Sequence, residues 1–176
     1  MYQHVVPDPI LTAIGDVTVS MSAAEQALGM LVCSMLADHL RIGKIVMAEL
    51  PFRGMRVLLM SLYRERHGED EDFVTLKRLM SEVAKLEEGR NQIMHSGWAE
   101  SSIPNSVTRF KDDAKEPHGW RSRDTPVTES SIRDLARGFR EIASSLGDFY
   151  FELIEAGKAN RNPLEPIQWV SGNRPD

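Results

Sequence analysis

A short segment of this 176-residue chain holds residue types that can bind an anion and move a proton. Arg90, Asn91 and His95 lie within one stretch of six residues. A guanidinium stays charged and presents a fork of N–H donors that fits two oxygens of one anion. An imidazole, with a pKa of about 6.5, exchanges protons at neutral pH. The segment is therefore a candidate site for acid–base chemistry on an anionic group.

Helical geometry determines which of these side chains share a face. The apolar residues before the segment centre on Val83, and Arg90 lies about 20° from that centre. A buried unpaired charge is costly, so Arg90 should lie in a polar pocket or at a subunit boundary. Asn91 and His95 are four residues apart, so the amide can orient the imidazole. Arg90 and His95 are about 140° apart. They can meet on one ligand only if the helix end unwinds, Arg90 reaches round the helix, or a second chain contributes.

Apolar periodicity predicts four main helices that position this segment. The third begins in the acidic cluster at residues 69–72 and is stopped by Ser96 and Gly97, with Gly97 suited to a left-handed conformation. The first begins after Asp16 and is closed by Gly43, the second starts at Pro51 and ends at Gly68, and the fourth has Thr128 as its N-cap. Residues 45–52 are predicted to be a short connection.

The predicted fold class is all-α, an up-down helical bundle of four main helices with an irregular insertion before the last. Residues 99–127 lack a helical period, and Ser106–Lys111 and Gly119–Asp124 could pair there as a small hairpin. Residues 1–156 are predicted to form one domain, and residues 157–176 an extended or mobile tail.

Composition narrows the function classes. The formal charge is −5, from 21 basic and 26 acidic residues, which argues against a broad phosphate-binding surface. Cys33 is the sole cysteine, so neither an internal disulfide nor a thiolate zinc site is expected, and a reducing, cytoplasmic compartment is predicted. The histidines show no metal-ligand spacing, so the predicted metal and cofactor content is none. Residues 27–37 are too short an apolar stretch for a membrane span, and no secretory signal is visible.

The spacing Arg90-Asn91-x-x-x-His95 resembles the R-[polar]-x-x-x-H signature of the HEPN superfamily of small helical nucleases and nucleotide-binding proteins. The position near the end of the third helix agrees with that family, and the resemblance covers roughly residues 15–156. It implies an up-down bundle that dimerises and brings two copies of the motif to one cleft.

The resemblance also implies a chemistry. Active members are metal-independent endoribonucleases, in which the ribose 2′-OH attacks the adjacent phosphate and leaves 2′,3′-cyclic phosphate and 5′-OH ends. His95 would then be the general acid and base, Arg90 would stabilise the phosphorane charge, and Asn91 would orient either group. A toxin or defence role is implied, with an antitoxin or a nucleotidyltransferase-like protein as a possible partner. RNA or a nucleotide is the predicted ligand, with neither DNA nor a membrane as a partner.

The insertion offers candidate substrate-binding residues. Basic side chains there interleave with aromatic ones, a mixture that can hold single-stranded RNA by backbone contact and stacking. The candidates are Arg109, Lys111, Trp120 and Arg121. The segment's net charge is zero, so an ordinary solvated hairpin is the alternative.

Two further alternatives stay open for the motif. Arg90 could simply pair with Glu87, Glu88 or the partner chain, in a structural dimeric bundle. The domain could also be a catalytically silent HEPN-like module that binds a nucleotide or a protein. A homodimer is predicted from the placement of Arg90 and from a second apolar stripe on the first helix, formed by Ala27, Met30, Cys33, Leu36 and Leu40.

Overall fold

The computed structural model describes residues 5–36, 40–115 and 119–160. Within them the chain forms five helices and one three-stranded antiparallel sheet. The elements are α1 (Asp8–Met35), α2 (Leu40–Glu49), α3 (Phe52–His67), α4 (Glu71–Met94), β1 (Gly97–Glu100), β2 (Ser106–Lys115), β3 (Gly119–Thr128) and α5 (Glu129–Glu155). The predicted mostly helical architecture is confirmed. The all-α class is wrong, because the insertion is an ordered sheet.

The first predicted helix has different bounds in the structure. It begins eight residues earlier than Asp16, at Asp8, where the extended Pro7 is the N-cap and Pro9 occupies the first turn at no cost in hydrogen bonds. It ends at Met35, and Gly43 lies inside α2. A methyl group on Gly43 would be 2.9 Å from Cys33 Sγ, so this glycine permits close packing of α2 on α1. Most of the predicted connection is therefore helical.

Contacts between helices give their directions. α2 returns along α1, since Gly43 contacts Cys33 while Met47 contacts Gly29. α5 runs parallel to α1, because Arg140 pairs with Asp16 at 2.9 Å near one end. Near the other end, the Asn160 N–H donates to the Ser34 carbonyl at 3.4 Å.

α4 is antiparallel to both of its neighbours. Tyr63, late in α3, donates to Asp70 at the start of α4, and Leu135, early in α5, contacts Gly89, late in α4. Direction thus alternates along the chain only when α2 is counted, and the N-termini of α1 and α5 lie at the end of the bundle where α4 finishes.

Four of the five residues predicted to form the second apolar stripe are accounted for within the chain; the fifth, Leu40, begins α2, and its side chain lies outside the described part. Ala27, Met30 and Leu36 are half-buried and pack against the core, as does Met47 of α2. Cys33 lies against Gly43. These four residues therefore need no second subunit to cover them.

The start and inner face of α5 agree with the sequence. The Thr128 side chain accepts from the Ser131 N–H, and Ser131 Oγ accepts from the Thr128 N–H, which completes a capping box. Six of the seven residues in its predicted seam are buried, and Leu135 is half-buried: Ile132, Leu135, Phe139, Ile142, Leu146, Phe149 and Leu153.

The sheet is longer than the predicted hairpin and includes a third strand. β2 pairs with β3 over ten residues each, and β1 adds to the other edge of β2. Pro126 is tolerated because β3 is an edge strand. Gly97 does not take the predicted left-handed conformation but opens β1. A methyl group there would lie 2.1 Å from Phe110 Cζ, so the glycine makes room for that ring.

The predicted C-terminal tail starts as a held segment. The Lys158 ammonium contacts Asp70 at 2.8 Å and also Asp72, and the Lys158 carbonyl lies 2.9 Å from His67 Nε2. Residues 157–160 therefore pack on the ends of α3 and α4, while residues 161–176 lie outside the described part. Among the described helices, none is long and apolar enough to cross a membrane.

Candidate active site

The motif occupies the last turn of α4, which remains helical through Met94. His95 is the C-cap, and its N–H donates to the Asn91 carbonyl at 3.1 Å. The helix therefore does not unwind between Arg90 and His95. Of the three ways in which these side chains could meet, two remain: Arg90 reaching round the helix, and a second chain.

Arg90 is half-buried and hydrogen-bonds to its neighbour, with Nη1 donating to Asn91 Oδ1 at 3.0 Å. The nearby carboxylates have other partners. Glu87 pairs with Arg56 at 2.7 Å, and Glu88 accepts from Gln92 Nε2 at 3.0 Å. Within the described residues Arg90 has no carboxylate partner. The structural alternative, in which Glu87 or Glu88 neutralises it, is thus not what the structure shows.

Asn91 redirects the guanidinium around the helix. On the helix, Asn91 lies about 100° from Arg90 and about 40° from His95. A hydrogen bond from Arg90 to Asn91 therefore carries the positive charge toward the side of the helix that holds His95. The expected contact of the Asn91 amide with the imidazole is not found among the contacts of the described residues; the amide oxygen accepts from Arg90 instead.

His95 is exposed, and its ring has no hydrogen-bond or ion-pair partner in the described part of the chain. An imidazole at a helix end, open to solvent, is available to a ligand. Its own helix supplies a polar setting, since Asn91 and Gln92 flank it at spacings of four and three residues.

The sheet approaches the motif through Arg109. This residue of β2 donates from Nη1 to Gln92 Oε1 at 3.0 Å. Because Gln92 and His95 are three residues apart on one helix, this contact places β2 beside the histidine. Gln92 was not predicted as a site residue, because in the sequence it is distinguished only by its position one turn before His95.

Strand register gathers four cations of the hairpin on one face of the sheet. The pairs of residues that face each other across β2 and β3 fall into two alternating sets. One set is Arg109–Thr125, Lys111–Arg123 and Asp113–Arg121. The other set is Phe110–Asp124, Asp112–Ser122 and Ala114–Trp120. Successive residues of a strand face opposite sides, and directly paired residues face the same side. Arg109, Lys111, Arg121 and Arg123 therefore share one face of the sheet, here called the basic face, on which Asp113 also holds a register position, so four cations stand against one acidic residue.

Three of the four predicted substrate-binding residues lie on the basic face: Arg109, Lys111 and Arg121. Trp120 lies on the opposite face, where it is 69% exposed, so the structure does not bring it together with the other three. Arg123 joins them instead. Only the register reveals this separation, because the acidic and basic residues of the segment cancel in its net charge.

The basic face is continuous with the face that packs on the helices. Val107 shares it and is 2% exposed, and Val127, directly opposite, packs against the core. Beyond Arg109, which is half-buried, Lys111, Arg121 and Arg123 are exposed. The outer part of the hairpin thus projects past the helices and forms a corner with the end of α4.

Among the described residues, no group of three His, Cys, Asp or Glu side chains is arranged to hold a metal ion. Comparisons with protein-family models, curated proteins and solved structures found no match. The resemblance to the HEPN superfamily accordingly rests on the motif and its place at the end of α4.

Proposed function

We propose that this chain is a metal-independent endoribonuclease of the HEPN type. One observation carries the proposal: the Arg90 guanidinium, free of described carboxylates, is held by Asn91 toward the side of α4 on which the exposed His95 lies. An acid–base group beside an uncommitted cation suits a substrate whose own hydroxyl is the nucleophile.

The reaction follows from these groups. His95 removes the proton of the ribose 2′-OH, and the 2′-oxygen forms a bond to the adjacent phosphorus. Arg90 stabilises the charge that develops on the non-bridging oxygens, since its fork fits two of them. The bond from phosphorus to the 5′-oxygen then breaks, and the protonated His95 donates its proton to that leaving oxygen. The products are a 2′,3′-cyclic phosphate and a 5′-OH.

A homodimer is part of the proposal. Asn91 brings the guanidinium only part of the way round α4, so a second copy that supplies the facing group would complete the site. A toxin or defence role, a neutralising protein partner and a cytoplasmic setting remain predictions drawn from the motif and the composition.

The test is cleavage of mixed RNA in the presence of EDTA. The wild-type protein should give 2′,3′-cyclic phosphate ends, and His95→Ala should reduce the rate at least a hundredfold, because general acid–base catalysis contributes roughly 10²–10⁴-fold. His4→Ala, purified in the same way, controls for a co-purifying nuclease. Equal cleavage by wild-type and His95→Ala protein would rule out His95 as the acid–base group.

The separation of Arg90 and His95 on an intact helix favours one alternative, a binding module that does not cleave. That function predicts no cyclic phosphate ends and a melting temperature that rises with nucleotide or RNA concentration.

A further inference from the structure

We propose that the basic face of the hairpin is a binding track for the phosphate backbone of single-stranded RNA and leads the strand to His95. This inference rests on the proposed function for the identity of the polyanion. The RNA strand would be held by its phosphates on the basic face, along a line from the outer hairpin to the last turn of α4.

The first support is the alignment of cations. Arg109 and Lys111 are alternate residues of β2, and Arg121 lies opposite Asp113, so the track extends about 14 Å outward from Arg109 at roughly 3.4 Å per residue. Its inner end is fixed to α4 by the bond from Arg109 to Gln92. A chain of phosphates that follows these cations therefore reaches the last turn of α4 at the histidine.

The hairpin also contains a cross-strand pair of like charges that destabilises the free sheet. Lys111 and Arg123 are directly opposite each other, and like charges in a cross-strand pair destabilise a sheet. Neither has an ion-pair partner among the described residues. A bound anion would relieve this repulsion, which makes a polyanion the complementary occupant.

The third support concerns the mode of binding. The exposed aromatic side chain of the hairpin, Trp120, lies on the opposite face, and Phe110 covers Gly97 there. On the basic face, the aromatic residue is Trp98, which is paired with Arg109 at the inner end and packs against the core. Bases held beside Lys111, Arg121 and Arg123 therefore have no ring of the hairpin available for stacking. The track should therefore bind the backbone with little preference for sequence, because phosphate contacts carry no base information.

The experiment compares two triple variants with equal changes in charge. Lys111→Gln/Arg121→Gln/Arg123→Gln removes the outer track and leaves Arg109 and the motif intact. The control, Arg64→Gln/Arg66→Gln/Arg78→Gln, removes three exposed cations from α3 and α4, far from the C-terminus of α4. Both are made in the His95→Ala background, and binding of a fluorescein-labelled oligouridylate is measured by anisotropy across a range of salt concentrations.

The track variant should bind at least tenfold more weakly than the control. Its plot of log affinity against log salt should be less steep by about 2, since each phosphate neutralised on a single strand contributes roughly 0.7 to the slope. Its melting temperature should equal or exceed that of the His95→Ala parent, because one like-charge pair has been removed. Equal affinity and equal slope in the two variants would overturn the inference. A variant that instead binds RNA normally but loses self-association would also overturn it, as the face would then be a protein interface.

Cleavage separates this inference from the proposed function. With the motif intact, the track variant should have a raised KM on long RNA, and its kcat/KM should fall much more for long RNA than for a dinucleotide too short to reach Lys111. If the track and control variants bind RNA equally well but cleavage still depends on His95, the track is refuted and the nuclease function is not. If the track variant binds RNA more weakly than the control but neither the wild-type protein nor any variant cleaves RNA, the nuclease function is refuted and the track is not.

Discussion

At the scale of the residue, the informative contact is the bond between Arg90 and Asn91. Sequence spacing predicted correctly that Arg90 and His95 leave the helix in different directions, because helical geometry is local. It could not predict the partner of the amide, since a side chain four residues from His95 and adjacent to Arg90 can serve either. The structure assigns it to Arg90.

Replacement of Asn91 by Ala should therefore act through Arg90. A hydrogen bond to a charged group is worth roughly 1.5–3 kcal/mol, so kcat on a short RNA should fall about tenfold to a hundredfold. The pH dependence of kcat should keep its shape, because the histidine is not the group disturbed. Asn91→Gln, which retains the amide one methylene further out, should recover part of the rate. If Asn91→Ala instead changes the pH profile of kcat without lowering its maximum value, Asn91 orients the imidazole and not the guanidinium of Arg90.

At the scale of the element, two glycines show what local pattern cannot supply. Gly43 and Gly97 both follow segments with a helical apolar period in the sequence, and both were predicted to end a helix. Their actual neighbours, Cys33 and Phe110, are ten and thirteen residues away in sequence and are brought in by packing and strand pairing. In the same way, alternation within each strand was predictable, whereas the register that gathers four cations on one face was not.

The segment after α5 is held by a small polar cluster, formed by Tyr63, Asp70, Asp72 and Lys158. The Lys158 ammonium, through its hydrogen bond to Asp70, lowers the pKa of that carboxyl to about 2, with further bonds from the Phe73 N–H and the Tyr63 hydroxyl. Burial, and then the hydrogen bond to Asp70, raise the pKa of Tyr63 to about 12. Both shifts link protonation to folding.

The direction of each effect is fixed by the sign of its shift. The pKa of Asp70 is lower in the folded state than the usual value of about 3.9, so its contribution is present above pH 4 and lost as the pH falls toward 2. The pKa of Tyr63 is higher than the usual value of about 10, so its contribution is present below pH 10 and lost as the pH rises toward 12.

Urea unfolding at several pH values checks both. The stability difference between wild type and Asp70→Asn should be constant near neutrality and shrink between pH 4 and pH 2. The corresponding difference for Tyr63→Phe should shrink between pH 10 and pH 12. Asp134→Asn, which removes an exposed carboxylate paired with Arg137 on α5, controls for the loss of one charge. Stability differences that do not change between pH 4 and pH 2 or between pH 10 and pH 12 would contradict the coupling of folding to protonation of Asp70 and Tyr63.

At the scale of the whole molecule, one of the two sequence arguments for a dimer is answered by α2, which packs on the second apolar stripe of α1. The remaining argument is the division of Arg90 and His95 between two sides of an intact helix. It makes the number of chains in a site a question for experiment.

Mixing inactive variants answers that question. If Arg90 of one chain acts with His95 of another, a heterodimer of Arg90→Ala and His95→Ala chains keeps one complete site. Equal mixing after unfolding and refolding should then restore about a quarter of wild-type activity, since half of the dimers are mixed and each retains one of two sites. No recovery, although light scattering shows dimers, would mean that one chain supplies both groups.

The parallel course of α1 and α5 has an electrostatic consequence. The peptide dipoles of a helix place about half a positive charge at its N-terminus and half a negative charge at its C-terminus. With the alternating directions, α1, α3 and α5 begin and α2 and α4 end toward the end of the bundle that carries His95, so three half-positive and two half-negative ends leave a net positive contribution of about half a charge there. The side chains of this protein sum to −5. Its attraction for a phosphate would then be confined to one end, where main-chain amides and the basic face act in the same direction.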